Sequence, residues 1–306
     1  MKVFVAGATG VLGRRAVALL LGAGHEVTGV ARSPEREAML RRIGAHPVTV
    51  DIFDVDALRP AVAGHDVVCN LATHIPPTTR MALPSAWSEN DRIRSLGSRN
   101  LVDAALAAEA TRFVQESIGF VYEDAGDEWI DESAPVDPVA NLHSATEAEA
   151  NTERFGEGGG VGVVLRFAAF YGPDSETTLT TIRLARRRIA AMPGRRVFIS
   201  SISTDDAASA VVASLGASGG VYNVGDNDPV RRGEYFGTLA DALGVKPPRV
   251  APLWLVKLGG RRAGYLGRSQ RLSNRRFVEA TGWTPTHPSV REGWPATVAA
   301  VGAAAS

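Results

Sequence analysis

Apolar residues in the first half of the chain fall into short β-branched runs separated by stretches with helical spacing. The runs lie at 2–6, 27–31, 47–50, 66–71, 112–117 and 161–166, and the helical patterns between them at 11–22, 34–43, 55–63, 88–108 and 143–155. Nearly continuous apolar strands that alternate with helices of this length predict right-handed crossovers and a parallel sheet covered on both faces. The fold class is therefore α/β, with a doubly wound parallel sheet.

Beyond Arg166 the pattern loosens. Phe167-Ala168-Ala169-Phe170-Tyr171-Gly172-Pro173 leaves the sixth strand, a helical segment spans 178–190, and 197–199 and 221–224 read as strands that return to the sheet. Late helices at 232–243, 252–258 and 272–280 are separated by Pro247-Pro248 and closed by Gly282-Trp283-Thr284-Pro285. Nothing marks a linker, so a smaller α/β lobe at 173–306 is expected to interweave with the first domain at 1–172 through segments near 195–225. The alanine-rich tail, 299–306, is expected to fray.

The first crossover carries the chemistry. Val3-Phe4-Val5-Ala6 breaks into Gly7-x-x-Gly10-x-x-Gly13, and a helical pattern follows directly. In such a turn Gly7 lets the chain leave the strand sharply, Gly10 lets a pyrophosphate approach the main chain, and Gly13 lets the helix pack close to the sheet. The helix N-terminus offers unpaired N–H groups and partial positive charge. Gly7, Thr9, Gly10, Val11, Leu12 and Gly13 are the expected phosphate-binding residues, so 1–172 is read as a dinucleotide-binding domain. The substrate then lies beyond the carboxyl ends of the strands, between the lobes.

The end of the second strand separates the two nicotinamide dinucleotides. Where an NAD site places a carboxylate for the ribose hydroxyls, this chain has Ala31 and Arg32, followed by Ser33 and Arg36. A guanidinium pairs with a 2′-phosphate that a carboxylate would repel, which favours NADP over NAD. The other reading of Arg32 is a solvated arginine, and Arg14 either adds a phosphate contact or faces water. Topology places Asp51 and Ile52 at the adenine rim and Leu71, Ala72 and Thr73 near the inner ribose and nicotinamide.

Composition narrows the partners to small molecules. The chain carries 33 basic and 33 acidic residues, a balance that leaves no footprint for nucleic acid or an anionic membrane. Cys69 is the only cysteine, so no intrachain disulfide and no cysteine-based metal site is expected. No apolar run is long enough to span a bilayer, and a signal peptide would overlap the glycine turn, so a cytoplasmic protein is expected.

These residues carry a resemblance. Gly7-x-x-Gly10-x-x-Gly13, Asp51, Asp66-Val67-Val68-Cys69-Asn70-Leu71-Ala72, Phe113-Val114-Gln115-Glu116-Ser117 with Val121-Tyr122, Leu165-Arg166 with Tyr171-Gly172-Pro173, Asp205-Asp206-Ala207-Ala208, Tyr222-Asn223-Val224 and Gly282-Trp283-x-Pro285 stand in the order found in one family. From Val3 to about Gly293 the chain resembles the extended short-chain dehydrogenase/reductases, the NAD(P)-dependent epimerase/dehydratase family. The resemblance implies a Rossmann-type fold, a bound nicotinamide dinucleotide and, as in many members, a homodimer through helices 88–108 and 143–155.

It also implies a tyrosine followed four residues later by a lysine, whose ammonium lowers the phenol's pKa for proton transfer. Four residues beyond Tyr122, Tyr171, Tyr222, Tyr235 and Tyr265 stand Gly126, Ser175, Asp226, Leu239 and Ser269, and the only lysines are Lys2, Lys246 and Lys257. Aligning Ser144 through Glu149 with the family's Ser-Lys-x-x-x-Glu helix puts Ala145 at the lysine and Asn141 at the tyrosine. The usual serine or threonine falls on Ile118, and the asparagine expected after Arg166 falls on Ala169.

The remaining candidates for proton transfer are Tyr122, His143, Ser117 and His74. Tyr122 lies just past the fifth strand, and the alternative is an aromatic lining residue. His143 stands near the start of the altered helix but is rotated away from the tyrosine position, and His74 follows the fourth strand. Glu116 faces either the pocket or a helix, and Asp205-Asp206 either cap the helical run that follows them or contact substrate. Arg166 needs a partner, while Arg183–Arg188 and Ser269–Arg276 are either anion-binding rims or solvated helix faces. Two functions follow. One is an NADP-dependent oxidoreductase, epimerase or dehydratase acting on a hydroxyl or carbonyl of a small, sugar-like or specialised metabolite. The other is a protein that holds the dinucleotide while catalysing a non-redox isomerisation or cyclisation, or while sensing the cofactor.

Overall fold

A computed structural model of the chain describes residues 1–76, 83–139, 142–259 and 264–305. Its centre is a seven-stranded parallel sheet. From one edge to the other the strands are Gly220–Val224, Val161–Phe167, Arg112–Ile118, Val67–Asn70, Lys2–Ala6, Glu26–Val30 and His46–Val48. Six of the seven fall within a residue or two of the apolar runs, and the seventh is the returning segment near 221.

Alternation along the first strand explains the layering. Val3 and Val5 face a core with Leu12, Val17, Leu20, Ala207 and Val211, whereas Phe4 and Ala6 face one with Leu58, Leu101, Val102 and Phe155. Successive strand side chains point to opposite faces, so a run apolar at every position must be covered twice. Helix Val11–Gly22 lies on the first face and packs against Thr204–Ala213; Val55–Val62 lies on the second and packs against Ser98–Ala107. Ser33 caps Pro34–Arg42, and the Asp54 carboxylate accepts from the N–H groups of Asp56 and Ala57, both at 3.1 Å, at the head of Val55–Val62.

Residues after 170 gather around a third apolar cluster that includes Tyr171, Ile182, Phe236 and Trp294. The lobe reaches back to the sheet through Gly220–Val224 and through Arg15, which binds Asp174 at 2.8 Å and Asp205 at 2.6 Å.

Several expectations are corrected. The tail is helical from Val290 to Ala305, because Val298 and Val301 pack on the third cluster. The segment near 88–108 is a helix Ser88–Arg92, a π-helical turn Ile93–Gly97 and a helix Ser98–Ala107. Ser203, rather than the Asp205-Asp206 pair, caps Thr204–Ala213, its Oγ accepting from Asp206 N at 3.0 Å. Asp206 instead accepts from the backbone N–H groups of Thr286 and His287 and ties a distant loop to this helix. In the block Ser269–Arg276 only Arg275 and Arg276 lie on a helix, exposed at the start of Arg275–Thr281. Ser269 and Gln270 are buried, and Arg271–Leu272 is a strand beside Trp129–Ile130.

Candidate active site

The three glycines of the first turn differ in what holds them. Gly7 has φ +80°, and a Cβ there would stand 2.5 Å from the Leu71 carbonyl carbon. A Cβ on Gly13 would stand 2.0 Å from the Gly7 oxygen, so helix and strand approach too closely for any side chain. Gly10 is exposed, and a Cβ there would meet only the Gly7 oxygen, at 3.4 Å. Packing thus accounts for the outer glycines and leaves the middle one open to solvent. Gly10 stands at the head of helix Val11–Gly22, where no side chain caps the first turn and no acidic residue lies in it. Orphan N–H groups beside an open main chain fit a phosphate group. Thr9 and Val11 are half-buried at this rim, and Leu12 is buried beneath it. Arg14 is ion-paired with Asp174, so its alternatives of phosphate or water give way to a partner in the second lobe.

The other expected cofactor residues line the same edge of the sheet. Arg32 is exposed beyond the second strand, with no ion-pair partner among the described residues. Asp51 is exposed, its carboxylate accepting from Phe53 N at 2.9 Å, and Ile52 lies against Gly97. Leu71 is buried and donates its N–H to Ala6 at 2.9 Å; Ala72 N reaches Asn70 Oδ1 at 3.3 Å, and Thr73 is exposed. Asn70 is itself held by Gln115, at 3.0 Å.

Past the fifth and sixth strands lies a connected polar network. Arg166 donates Nε and Nη2 to Glu149, at 2.9 and 2.6 Å, and Ser117 Oγ donates to the same carboxylate at 2.5 Å. The Arg166 guanidinium also lies over the Tyr122 ring, 4.8 Å from its centroid. Tyr122 is fully buried and donates its hydroxyl to Asn223 Oδ1 at 2.8 Å. Burial pushes the phenol up to about 12, against the smaller opposing effect of Arg166. It is a poor base at neutral pH. Arg166 therefore has the partner it needed, on helix His143–Glu157, and the network pins that helix to the sheet.

The same helix carries Ala145, fully buried in the apolar cluster with Val121, Tyr122, Ile130 and Ala168. Ala145 is the residue that the resemblance aligns with the lysine. His143 is exposed and lies 3.6 Å from Glu147, and His74 is exposed, its backbone N–H donating to Asn90 at 3.0 Å. Asn141 lies outside the described residues. Glu116 faces helix residue Arg94, whose Nη2 donates to both carboxylate oxygens at 3.0 Å; burial still pushes Glu116 up from the usual carboxylate range. Arg183 and Arg186–Arg188 are exposed. Sequence reasoning did not single out Glu149 or Arg94. The signal was Arg166, whose place at a buried strand end called for a partner, structural or substrate-borne.

A glycine turn with an open helix N-terminus, on a seven-stranded parallel sheet, is the architecture of an NAD(P)-binding domain. The chain belongs to the NAD(P)H-binding family, whose model matches residues 7–218. It is 33% identical over 310 residues to the 3-diazoavenalumate denitrifying reductase of a Streptomyces species, covering 96% of this chain and 99% of that one. It is 28% identical to a farnesyl-dihydroquinoline-oxide ketoreductase of Stigmatella aurantiaca, over 80% of this chain and 74% of that one. The human epimerase family protein SDR39U1, solved with NADPH, shares the fold at a TM-score of 0.82 and 24% identity, over 98% of this chain and 99% of that one. Among the described residues no helix is long and apolar enough to cross a membrane.

Proposed function

We propose that the chain is an NADP-dependent reductase of a small specialised metabolite, and that its hydride acceptor needs no proton from the protein. The observation that carries this reading is that Ala145, aligned with the lysine of the resembling family, is fully buried within the apolar cluster. The nicotinamide supplies a hydride equivalent when bound. Gly10 and the N-terminus of Val11–Gly22 would hold its phosphates, Arg32 the 2′-phosphate, and Leu71, Ala72 and Thr73 the nicotinamide end. The Ser117–Glu149–Arg166 network holds helix His143–Glu157 against the fifth and sixth strands.

A carbonyl that takes up a hydride must also gain a proton, and a residue poised to supply one accelerates that step by about 10²–10⁴. A diazonium carbon differs. A C–H bond forms, the C–N bond breaks, and dinitrogen leaves with the electron pair of that bond, so charge balances without a proton. The denitrifying reductase at 33% identity, alike over nearly both whole chains, supports an acceptor of this class. The preference for NADP is supported by exposed Arg32 and by the absence of a carboxylate at residues 31–33.

The test is NADPH oxidation followed at 340 nm with an arenediazonium salt and with aryl ketones and quinones. NADPH deuterated at C4 is expected to deliver one deuterium to the arene carbon that loses dinitrogen. Turnover of ketones alone would favour carbonyl reduction, the second reading, which the ketoreductase relative supports. Product formation without any nicotinamide would overturn both in favour of a non-redox isomerase or cyclase.

A further inference from the structure

We propose that the second lobe carries a docking surface for the anionic headgroups of a lipid bilayer, built from exposed arginines around Trp254. The balanced charge of the whole chain hides a segregation. Residues 1–172 hold 15 basic and 23 acidic side chains, a net of −8, whereas residues 173–306 hold 18 and 10, a net of +8. Two tracts account for the excess: six arginines and no acid lie between Glu176 and Asp205, and nine basic residues and no acid lie between Asp241 and Glu279.

The fold sets parts of these tracts side by side. Arg188 O accepts from Arg249 N at 2.9 Å, Arg249 O from Ala190 N at 3.2 Å, and Ala251 O from Gly194 N at 2.9 Å. Leu253 continues the contact, its Cδ1 3.1 Å from where a Cβ on Gly194 would stand. Arg186–Arg188, Arg195, Arg196 and Arg249 are exposed, and none has a carboxylate partner among the described residues. Carboxylates of the lobe are engaged elsewhere: Asp228 and Glu234 hold Arg291, Glu279 lies 3.7 Å from Arg275, and Asp205 holds Arg15. Among the free cations stand Ile189, Leu253 and Trp254, exposed by 50, 43 and 60%.

Local stability does not explain this surface. Helix Glu176–Arg186 ends in a left-handed turn at Arg188, φ +61°, with Arg188 N on Ala185 O at 2.8 Å and Ile189 N on Leu184 O at 2.9 Å. Glycine is unstrained at such a position, and the residue after it commonly packs its side chain on the helix. Here an arginine takes the strained position and the isoleucine after it stays half in solvent.

Cations without counter-charge create a field that attracts an anionic surface. Three features favour lipid headgroups over a folded acidic protein or a nucleic acid. The arginines come from separate segments, and fluid headgroups adjust to them, whereas a folded partner needs its carboxylates in register. Trp254 offers an apolar ring and one N–H donor, the combination suited to headgroup depth. Leu253 and Ile189 add aliphatic surface, which acyl chains accept and a sugar–phosphate backbone does not. A protein held in this way lies on a bilayer without crossing it.

The experiment is sedimentation of the full chain with vesicles of phosphatidylcholine alone, or with about one part in four phosphatidylglycerol, at ionic strengths of about 0.1 and 0.5 M. Binding is expected to the anionic vesicles only, and at least tenfold more weakly at the higher ionic strength. Each basic residue at such a surface contributes about fivefold, so the Arg186→Gln/Arg187→Gln protein is expected to bind at least tenfold more weakly. Tryptophan emission is expected to shift to the blue on binding in the wild type and not in Trp254→Ser. Equal binding to both vesicles, or binding to neither, overturns the proposal, as does a blue shift that persists without Trp254. Tighter binding, per anionic group, to an RNA oligomer or to poly-glutamate than to the anionic vesicles also overturns it, in favour of a polymeric partner. The vesicle comparison uses the wild type alone and decides the question if a variant fails to fold.

Discussion

The middle glycine of the first turn is the sharpest point at which cofactor binding and folding can be separated. Replacing Gly10 with Ala adds a Cβ 3.4 Å from the Gly7 oxygen, an ordinary contact, at φ −75° and ψ 178°, which alanine adopts freely. Alanine is a poorer N-cap than glycine by roughly 0.5–1 kcal/mol, whereas restricting the unfolded chain returns about 0.4–1 kcal/mol, so the net stability change is near zero. The new methyl stands on the exposed side, where a phosphate would approach the backbone. A tenfold loss of affinity corresponds to about 1.4 kcal/mol, and we expect at least that for NADP by calorimetry, with the melting temperature unchanged. Gly13→Ala is the control of opposite kind. Its Cβ would lie 2.0 Å from the Gly7 oxygen, a backbone atom that cannot yield, so the protein is expected to lose about 3 kcal/mol or more in urea unfolding. A Gly10→Ala protein that binds NADP like the wild type would refute the placement of the phosphates, and with it the reading of the turn.

Three other outcomes follow from the same structure. Arg32→Glu is expected to weaken NADP at least tenfold in calorimetry while leaving NAD unchanged or tighter, since a carboxylate repels the 2′-phosphate; equal losses for both would assign Arg32 a general role. Tyr122→Phe strands Asn223 Oδ1 in the interior and is expected to cost about 1–3 kcal/mol in chemical denaturation, with kcat changed less than twofold; a hundredfold drop in kcat would make the phenol catalytic after all. Asp226 is 2% exposed, with Oδ2 accepting from Ser201 Oγ at 2.9 Å and Oδ1 unpartnered, and desolvation raises its pKa well above the ordinary carboxylate value. Its folded form holds the proton more tightly than its unfolded form, so its contribution is full below the unfolded pKa and is lost as pH rises through the folded one. Asp226→Asn should therefore gain on the wild type by about 1.4 kcal/mol per pH unit from roughly pH 4 upward, until the folded group ionises; parallel stability curves for the two proteins would exclude this.

Much of this protein was legible in the order of its residues, because the determinants are local. A strand buried on both faces must be apolar throughout, and a helix covering it must repeat every three to four residues, so the runs at 2–6, 112–117 and 161–166 with helices between them dictate a parallel sheet before any contact is known. The glycine turn is local as well, since its geometry is set within seven residues. Long-range polar partners leave no such periodic trace. Glu149 meets Ser117 and Arg166 across separations of 32 and 17 residues, and Asp206 meets Thr286 and His287 80 and 81 residues away. Ser269 and Gln270 read as either a binding rim or a solvated helix face, yet they are buried and bound to backbone carbonyl and N–H groups of remote segments. Only the tertiary structure could decide which polar side chains are consumed in holding the walls together and which, like Arg187, stay exposed. A hydrogen bond is satisfied by proximity in space, and the order of residues along a chain does not encode that proximity.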